Sequence, residues 1–249
     1  MKIWRKIPCL FLALAGIASA PAQTPRTIPT VASIVERMAQ ARANNRAGFR
    51  PYVVTRDYAL FGKEKHTTKS EVTAELTFSP PNSKKYKILR RTGGALGERL
   101  VRRMLDGETT IVKEYGSTDI SADNYGFRFA GEERVNGRDC YVLEIRPKRK
   151  DKTLIEGTIW VDSGTYLLHR LEGKPAKSPS WWLRDARITF LYSDVEGMWL
   201  QTGSEFTTHV RIFGRHTMIS RDVQYETAER PAVFVGTKQP SHHGNVVAQ

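Results

Sequence analysis

From residue 52 onward the chain alternates apolar and polar positions with a period of two. Residues 52–61 alternate, residues 71–78 set Val72, Ala74, Leu76 and Phe78 on one side, and residues 84–91 do the same with Tyr86 and Ile88. These segments predict three strands in a meander. Asn136-Gly137 stands between periodic segments at 127–135 and 138–147. It predicts a tight hairpin, because the turn that matches strand twist needs a positive φ at both central residues. Further strands are predicted over 154–161, 166–172, 184–193, 199–212 and 217–225, joined by Asp162-Ser163-Gly164, residues 194–197 and Gly214. Short connections make sequence neighbours antiparallel partners, so the expectation is one large up-and-down sheet.

Helical patterning is confined to two places. Over about 30–45, Thr30 supplies a cap and Val31, Ile34, Val35, Met38 and Ala41 fall on one face, opposite Glu36, Arg37, Gln40 and Arg42. Over 95–105, Leu96, Leu100, Val101, Met104 and Leu105 form a stripe opposite Glu98, Arg99, Arg102 and Arg103, with an end predicted at Asp106-Gly107. Two helices are too few to cover the oily face of about ten strands. That face must be covered by something, so the sheet is expected to curl around its helices, around itself or around an apolar guest. The predicted class is mainly β (α+β), a strongly curved antiparallel sheet.

The first residues are of a different kind. Lys2, Arg5 and Lys6 precede an apolar run from Ile7 to Ile17 and small residues ending at Ala22. This is the three-part pattern of a secretory signal peptide over residues 1–22, and the run is too short for the ~20 apolar residues of a membrane span. The remainder divides into one domain over 23–229 and a tail over 230–249 without periodicity, expected to be disordered. The expected location is periplasmic, beyond an inner membrane.

Charge then narrows the partners. The chain carries a net charge of +13; loss of residues 1–22 leaves 36 basic against 26 acidic residues, or +10. For an exported protein no nucleic acid is expected, and anionic membrane surfaces or acidic envelope polymers are the fitting counterparts. Beyond the signal segment the only cysteine is Cys140, so an intrachain disulfide and a metal site built on paired cysteines are both excluded. It falls in step with Val142 and opposite Tyr141, Leu143 and Ile145, the place of a packed small residue.

Catalytic signals are absent from the sequence: there is no His-Glu-x-x-His, no Gly-x-Ser-x-Gly, no phosphate-cradling glycine loop and no dinucleotide fingerprint. Glu205 and His209 share a strand face with Thr207 and Arg211, which a solvated face explains. His242-His243 lies in the tail. No catalytic residue, metal or cofactor is expected, and the chain is read as non-enzymatic. What remains is the apolar face, and a curved sheet of this many strands encloses more room than a four-turn helix fills. The candidate cavity residues are Leu76, Phe78, Tyr86, Ile88, Tyr141, Leu143, Ile159, Ile188, Phe190, Tyr192 and Phe206, with Ile219 and Val223 on the same expected side. In the segment 173–183, two prolines precede the adjacent indoles Trp181 and Trp182, which are candidates for the rim of an opening.

Several stretches carry a family resemblance. Gly-Glu-Arg-x-x-Arg-x-x-Leu-x-Gly-Glu at 97–108, Arg-x-Cys-Tyr-x-Leu-x-Ile-x-Pro at 138–147, and Ile-Trp-Val-Asp at 159–162 followed by Tyr166-Leu167-Leu168 are similar to bacterial outer-membrane lipoprotein-sorting proteins of the LolA-like (LolA/LolB/RseB-type) superfamily. The resemblance covers about 31–225 and implies an incomplete β-barrel, or half-barrel, closed by a few helices around an apolar cavity. It implies a periplasmic carrier of lipid or of the acyl chains of lipoproteins, acting in lipoprotein sorting. A sensor or interaction module of the same fold, binding an envelope protein, is the alternative; an envelope hydrolase is a third. The dedicated lipoprotein chaperone of that family presents a functionally important arginine in its cavity, and no arginine here is matched to it by sequence.

Overall fold

The structure, a computed structural model, describes residues 28–227 except 64–66, 114–115, 179–182 and 212–213. The expected signal peptide, the Trp181-Trp182 pair and the tail lie outside the described residues. Helix α1 (Val31–Ala47) leads into β1 (Tyr52–Phe61), β2 (Thr68–Ser79) and β3 (Ser83–Gly93). Helix α2 (Ala95–Lys113) follows, and then β4 (Tyr125–Val135), β5 (Arg138–Pro147), β6 (Ile155–Asp162), β7 (Leu168–Pro175), β8 (Leu183–Val195), β9 (Met198–Val210) and β10 (Gly214–Thr227).

The ten strands among the described residues form one antiparallel sheet in the order β3-β2-β1-β10-β9-β8-β7-β6-β5-β4. Each hairpin joins sequence neighbours as expected, but the meander is interrupted once. The long helical connection between β3 and β4 leaves these two strands as the sheet edges, and β1 instead pairs along its whole length with β10, from Tyr52 opposite Thr227 to Phe61 opposite Thr217. The sheet is therefore open, not a closed barrel. The hairpin between β4 and β5 turns at Asn136 (φ 49°) and Gly137 (φ 80°), the pair of positive values the sequence predicted.

Two helices close the open side, each for a legible reason. Thr30 caps α1, its hydroxyl accepting from the Ser33 N–H at 3.2 Å, and Ile34 and Met38 are buried against Tyr141, Leu143, Ile145, Leu154 and Ile159 of the sheet's second half. Full burial of a side chain such as Ile34 or Leu143 contributes about 1.5–3 kcal/mol. In α2, Val101 and Leu105 are buried with Val54, Val72, Leu76 and Phe78 of the first half. Gly97 allows this helix to sit directly on β2, since a Cβ there would come within 2.1 Å of the Ser70 Oγ.

The end of α2 differs from the sequence expectation. The helix runs through Asp106-Gly107 to Lys113. A glycine inside a helix costs only about 1 kcal/mol, and the extra turns are held by contacts that recoup it. Ile111 and Val112 continue the apolar side, and the Thr109 and Thr110 hydroxyls each donate to the Asp106 carbonyl at 2.9 Å. Glu108 is bound to the sheet, as described below.

The inward face of β10 is also corrected. Met218 stands opposite Leu60 and Asp222 opposite Arg56, which turns Met218, Ser220 and Asp222 inward and sends Ile219 to the convex side. Val223 is 56% exposed. A slip of one residue exchanges the faces of a strand, and the isolated apolar letters of this segment pointed to the wrong one. Cys140 packs with Val135, Val142 and Trp160 in a small convex cluster, opposite Tyr141, Leu143 and Ile145. Among the described residues no helix is long and apolar enough to cross a membrane.

Candidate functional site

Between the curved sheet and the two helices lies a cavity of about 1850 Å³, well above the ~300–1,000 Å³ common for small-ligand sites. Its sheet wall runs from Phe78 on β2 through Tyr52, Tyr58 and Leu60 on β1 and Met218 on β10, then to Phe206 on β9, Ile188, Phe190 and Tyr192 on β8, and Leu171 and Ile155. The alternation of each strand puts these side chains on one face. Opposite them stand Met38 on α1, Phe49 just after it, and Leu100, Met104, Ile111 and Val112 on α2. Burial pushes the Tyr192 hydroxyl pKa up, so it stays a neutral wall group.

The sequence-derived candidates separate into three groups. Phe78, Ile188, Phe190, Tyr192 and Phe206 line the cavity. Leu76, Tyr141, Leu143 and Ile159 are buried in the packed layers beneath the helices. Tyr86 and Ile88 are half-buried against the α2 side, with the Tyr86 hydroxyl donating to Asp106 at 2.7 Å. Trp181 and Trp182 fall outside the described residues; Leu183, which follows them, lines the cavity.

One feature of the cavity escaped the sequence reading: a buried ionic cluster in its wall. Arg56 faces inward between Val54 and Tyr58 with 6% of its side chain exposed. Its guanidinium grips Asp222 through Nε and Nη2 and donates from Nη1 to Glu108 at 2.9 Å. The Lys84 ammonium binds the other Glu108 oxygen. Asp222, whose side chain is wholly buried, also accepts from the Tyr225 hydroxyl. Four charges thus meet with a net of zero, carried by β1, β3, β10 and α2.

The electrostatics follow from that arrangement. Burial opposes ionisation of Glu108, but the Lys84 and Arg56 charges outweigh it and hold the carboxyl down at about 2. Burial also works against the Lys84 and Arg56 cations, yet Glu108 keeps both pKa values raised. A signal for the cluster was present in the sequence. Arg56 occupies an apolar-face position of β1 and Lys84 is in step with Tyr86 and Ile88, and a charge on an inward face calls for a partner.

Elsewhere, α1 is fastened by polar contacts to the connections before β4 and between β6 and β7. The Arg42 guanidinium donates to the Ile120 carbonyl at 2.8 Å and lies 3.6 Å from Asp119, and Arg37 donates to the Tyr166 hydroxyl at 2.8 Å. Among the described residues no group of three or more His, Cys, Asp or Glu is placed to hold a metal ion. Glu205 accepts from Thr207 at 3.3 Å, and His209 is exposed.

A family model described as "uncharacterized protein" matches residues 104–236. No curated protein matches the chain. Among solved structures, the chain is similar to a candidate outer membrane lipoprotein-sorting protein domain from Vibrio parahaemolyticus, at 15% identity over 79% of this chain and 93% of that one, with a TM-score of 0.44. It is similar to a LolA superfamily protein from Nitrosomonas europaea at 13% identity, over 82% and 96% of the two chains, with a TM-score of 0.44. A third likeness is to the MucA/MucB complex structure of Pseudomonas aeruginosa, at 11% identity over 80% and 99%, with a TM-score of 0.25. At these values the likenesses say nothing of ligand or partner.

Proposed function

The chain belongs to the family, described as "uncharacterized protein", whose model spans residues 104–236, and from its geometry we propose that it is a non-enzymatic periplasmic carrier that binds lipid or the acyl chains of lipoproteins. The observation that carries this reading is the apolar cavity of about 1850 Å³ between sheet and helices. Each methylene buried there would contribute about 0.8 kcal/mol, so a chain of lipid length supplies on the order of 10 kcal/mol before association costs are subtracted. Such a guest needs few polar contacts. The stretches at 97–108, 138–147 and 159–168 that resemble lipoprotein-sorting proteins support the same reading.

Exposed Lys85, Lys87 and Arg90 on β3 and Arg99 and Arg103 on α2 stand on the elements that form one cavity wall. They are the groups proposed to meet an anionic membrane surface, where each basic residue is worth about 1 kcal/mol. Native mass spectrometry of the protein purified from a bacterial periplasm, followed by organic extraction, tests the carrier reading. The expected mass exceeds that of the polypeptide by a lipid that the extract releases. A bare polypeptide mass, with no thermal shift on adding phospholipid or acylated peptide, overturns it.

A further inference from the structure

We propose that the cavity selects amphiphiles with an anionic headgroup, and that the Glu108 carboxylate occupies the headgroup position when no guest is bound. This rests on the carrier reading and adds the chemistry of the ligand's polar end.

The two carboxylates of the ionic cluster are not equivalent. The Asp222 side chain is wholly buried, held by two guanidinium nitrogens and the Tyr225 hydroxyl, and belongs to the sheet itself. Glu108 comes from a different element, α2, and keeps 28% of its side chain exposed. It lines the cavity together with Arg56 and Lys84. The Arg56–Asp222 pair is complete without it, whereas Lys84, with 10% of its side chain exposed, has Glu108 as its carboxylate.

If the Glu108 side chain swings away, Lys84 and the Arg56 Nη1 are left as one uncompensated positive charge in an apolar wall. Leaving a buried charge unpaired is strongly unfavourable. The cavity therefore accepts the departure of Glu108 only when another anion arrives. A carboxylate or phosphate at the end of an aliphatic chain meets both demands at once: the headgroup replaces Glu108 on Lys84 and Arg56, and the chain runs along the wall formed by Tyr58, Met218, Phe206 and Phe190. An uncharged amphiphile fills the same apolar space but leaves Glu108 where it is. A free anion without a chain gains only the polar half.

The test displaces the neutral fluorophore N-phenyl-1-naphthylamine from the whole protein at pH 7.5 with dodecanoate, dodecanol or inorganic phosphate. For the native protein, dodecanoate is expected to bind at least tenfold more tightly than dodecanol, and phosphate to displace nothing. Glu108→Gln removes the competing carboxylate and should widen the preference for dodecanoate by a further order of magnitude while leaving dodecanol unchanged. The paired change Lys84→Met with Glu108→Met keeps the wall neutral and Arg56–Asp222 intact, and should abolish the preference while both chains still bind. Equal binding of dodecanoate and dodecanol in the native protein and in Glu108→Gln overturns the headgroup assignment and leaves the carrier reading standing. Failure of both to bind any of the proteins overturns the two together.

Discussion

Asn45 is hydrogen-bonded to the backbone of Trp199 in both directions: its Nδ2 donates to the Trp199 carbonyl at 2.9 Å, and its Oδ1 accepts from the Trp199 N–H at 2.8 Å. A side-chain amide near the end of α1 thereby acts as one more strand residue beside β9. Replacing it by alanine leaves a half-buried N–H and C=O without those partners, at about 1–3 kcal/mol. In a domain of this size each kcal/mol lowers the melting temperature by roughly 2–4 °C. Asn45→Ala should therefore melt several degrees lower in a calorimetric scan, and an unchanged transition would contradict the anchoring role.

The packed half and the hollow half of the molecule should answer truncation differently. Ile34 is fully buried between α1 and the sheet, so Ile34→Ala should cost about 2–5 kcal/mol through lost transfer energy and a new void. Phe190 is only half-buried and already borders open space. Phe190→Ala should cost less stability than Ile34→Ala in urea unfolding, and should weaken N-phenyl-1-naphthylamine binding several-fold. The reverse ranking of stabilities would mean that the interior is filled around Phe190.

Acid should weaken the protein in part through Glu108. Its folded-state pKa of about 2 lies below the ordinary 4.5, so its contribution is fully present above pH 4.5 and is lost as pH falls from there towards 2. Glu108→Gln removes this portion of the pH dependence. Unfolding free energies measured between pH 2 and 7 should show a shallower acid limb for the variant; parallel curves for the two proteins would show that Glu108 is not ionised against Lys84 and Arg56.

Cys140 should be an inert thiol in the folded state. Burial first, and the nearby Asp162 charge second, push its pKa up to about 11, and the residue is 1% exposed. At pH 8 about a thousandth of it is thiolate. Reaction with 5,5′-dithiobis(2-nitrobenzoic acid) should be at least 100-fold slower in the native protein than in urea, and comparable rates would place the thiol at the surface.

Most of the strand content was legible from local alternation, because a half-buried strand records its own burial every second residue. Tyr52 to Phe61 and Arg138 to Pro147 coincide with observed strands, and Asn136-Gly137 marked its hairpin through the conformation it requires. The pairing of β1 with β10 was not legible, since it joins segments more than 150 residues apart and depends on which edge the α2 connection leaves free. The same non-locality hid the final turns of α2. Gly107 weakens the helical pattern, and the groups that hold Glu108 sit on β1 and β3. Arg56 was within reach of the sequence: a guanidinium between Val54 and Tyr58 on an inward face required partners, and Glu108 and Asp222 are the ones it has.

A carrier role requires that the hollow between sheet and helices receives an aliphatic chain. The most direct measurement is photo-crosslinking with a long-chain fatty acid that bears a terminal diazirine, followed by peptide mapping of the adducts by mass spectrometry. Adducts are expected to concentrate on cavity residues such as Ile188, Phe190, Phe206 and Met218, and to be reduced by excess unlabelled fatty acid. Adducts scattered over convex-face residues such as Val223 and Leu191, or insensitive to competitor, would contradict it.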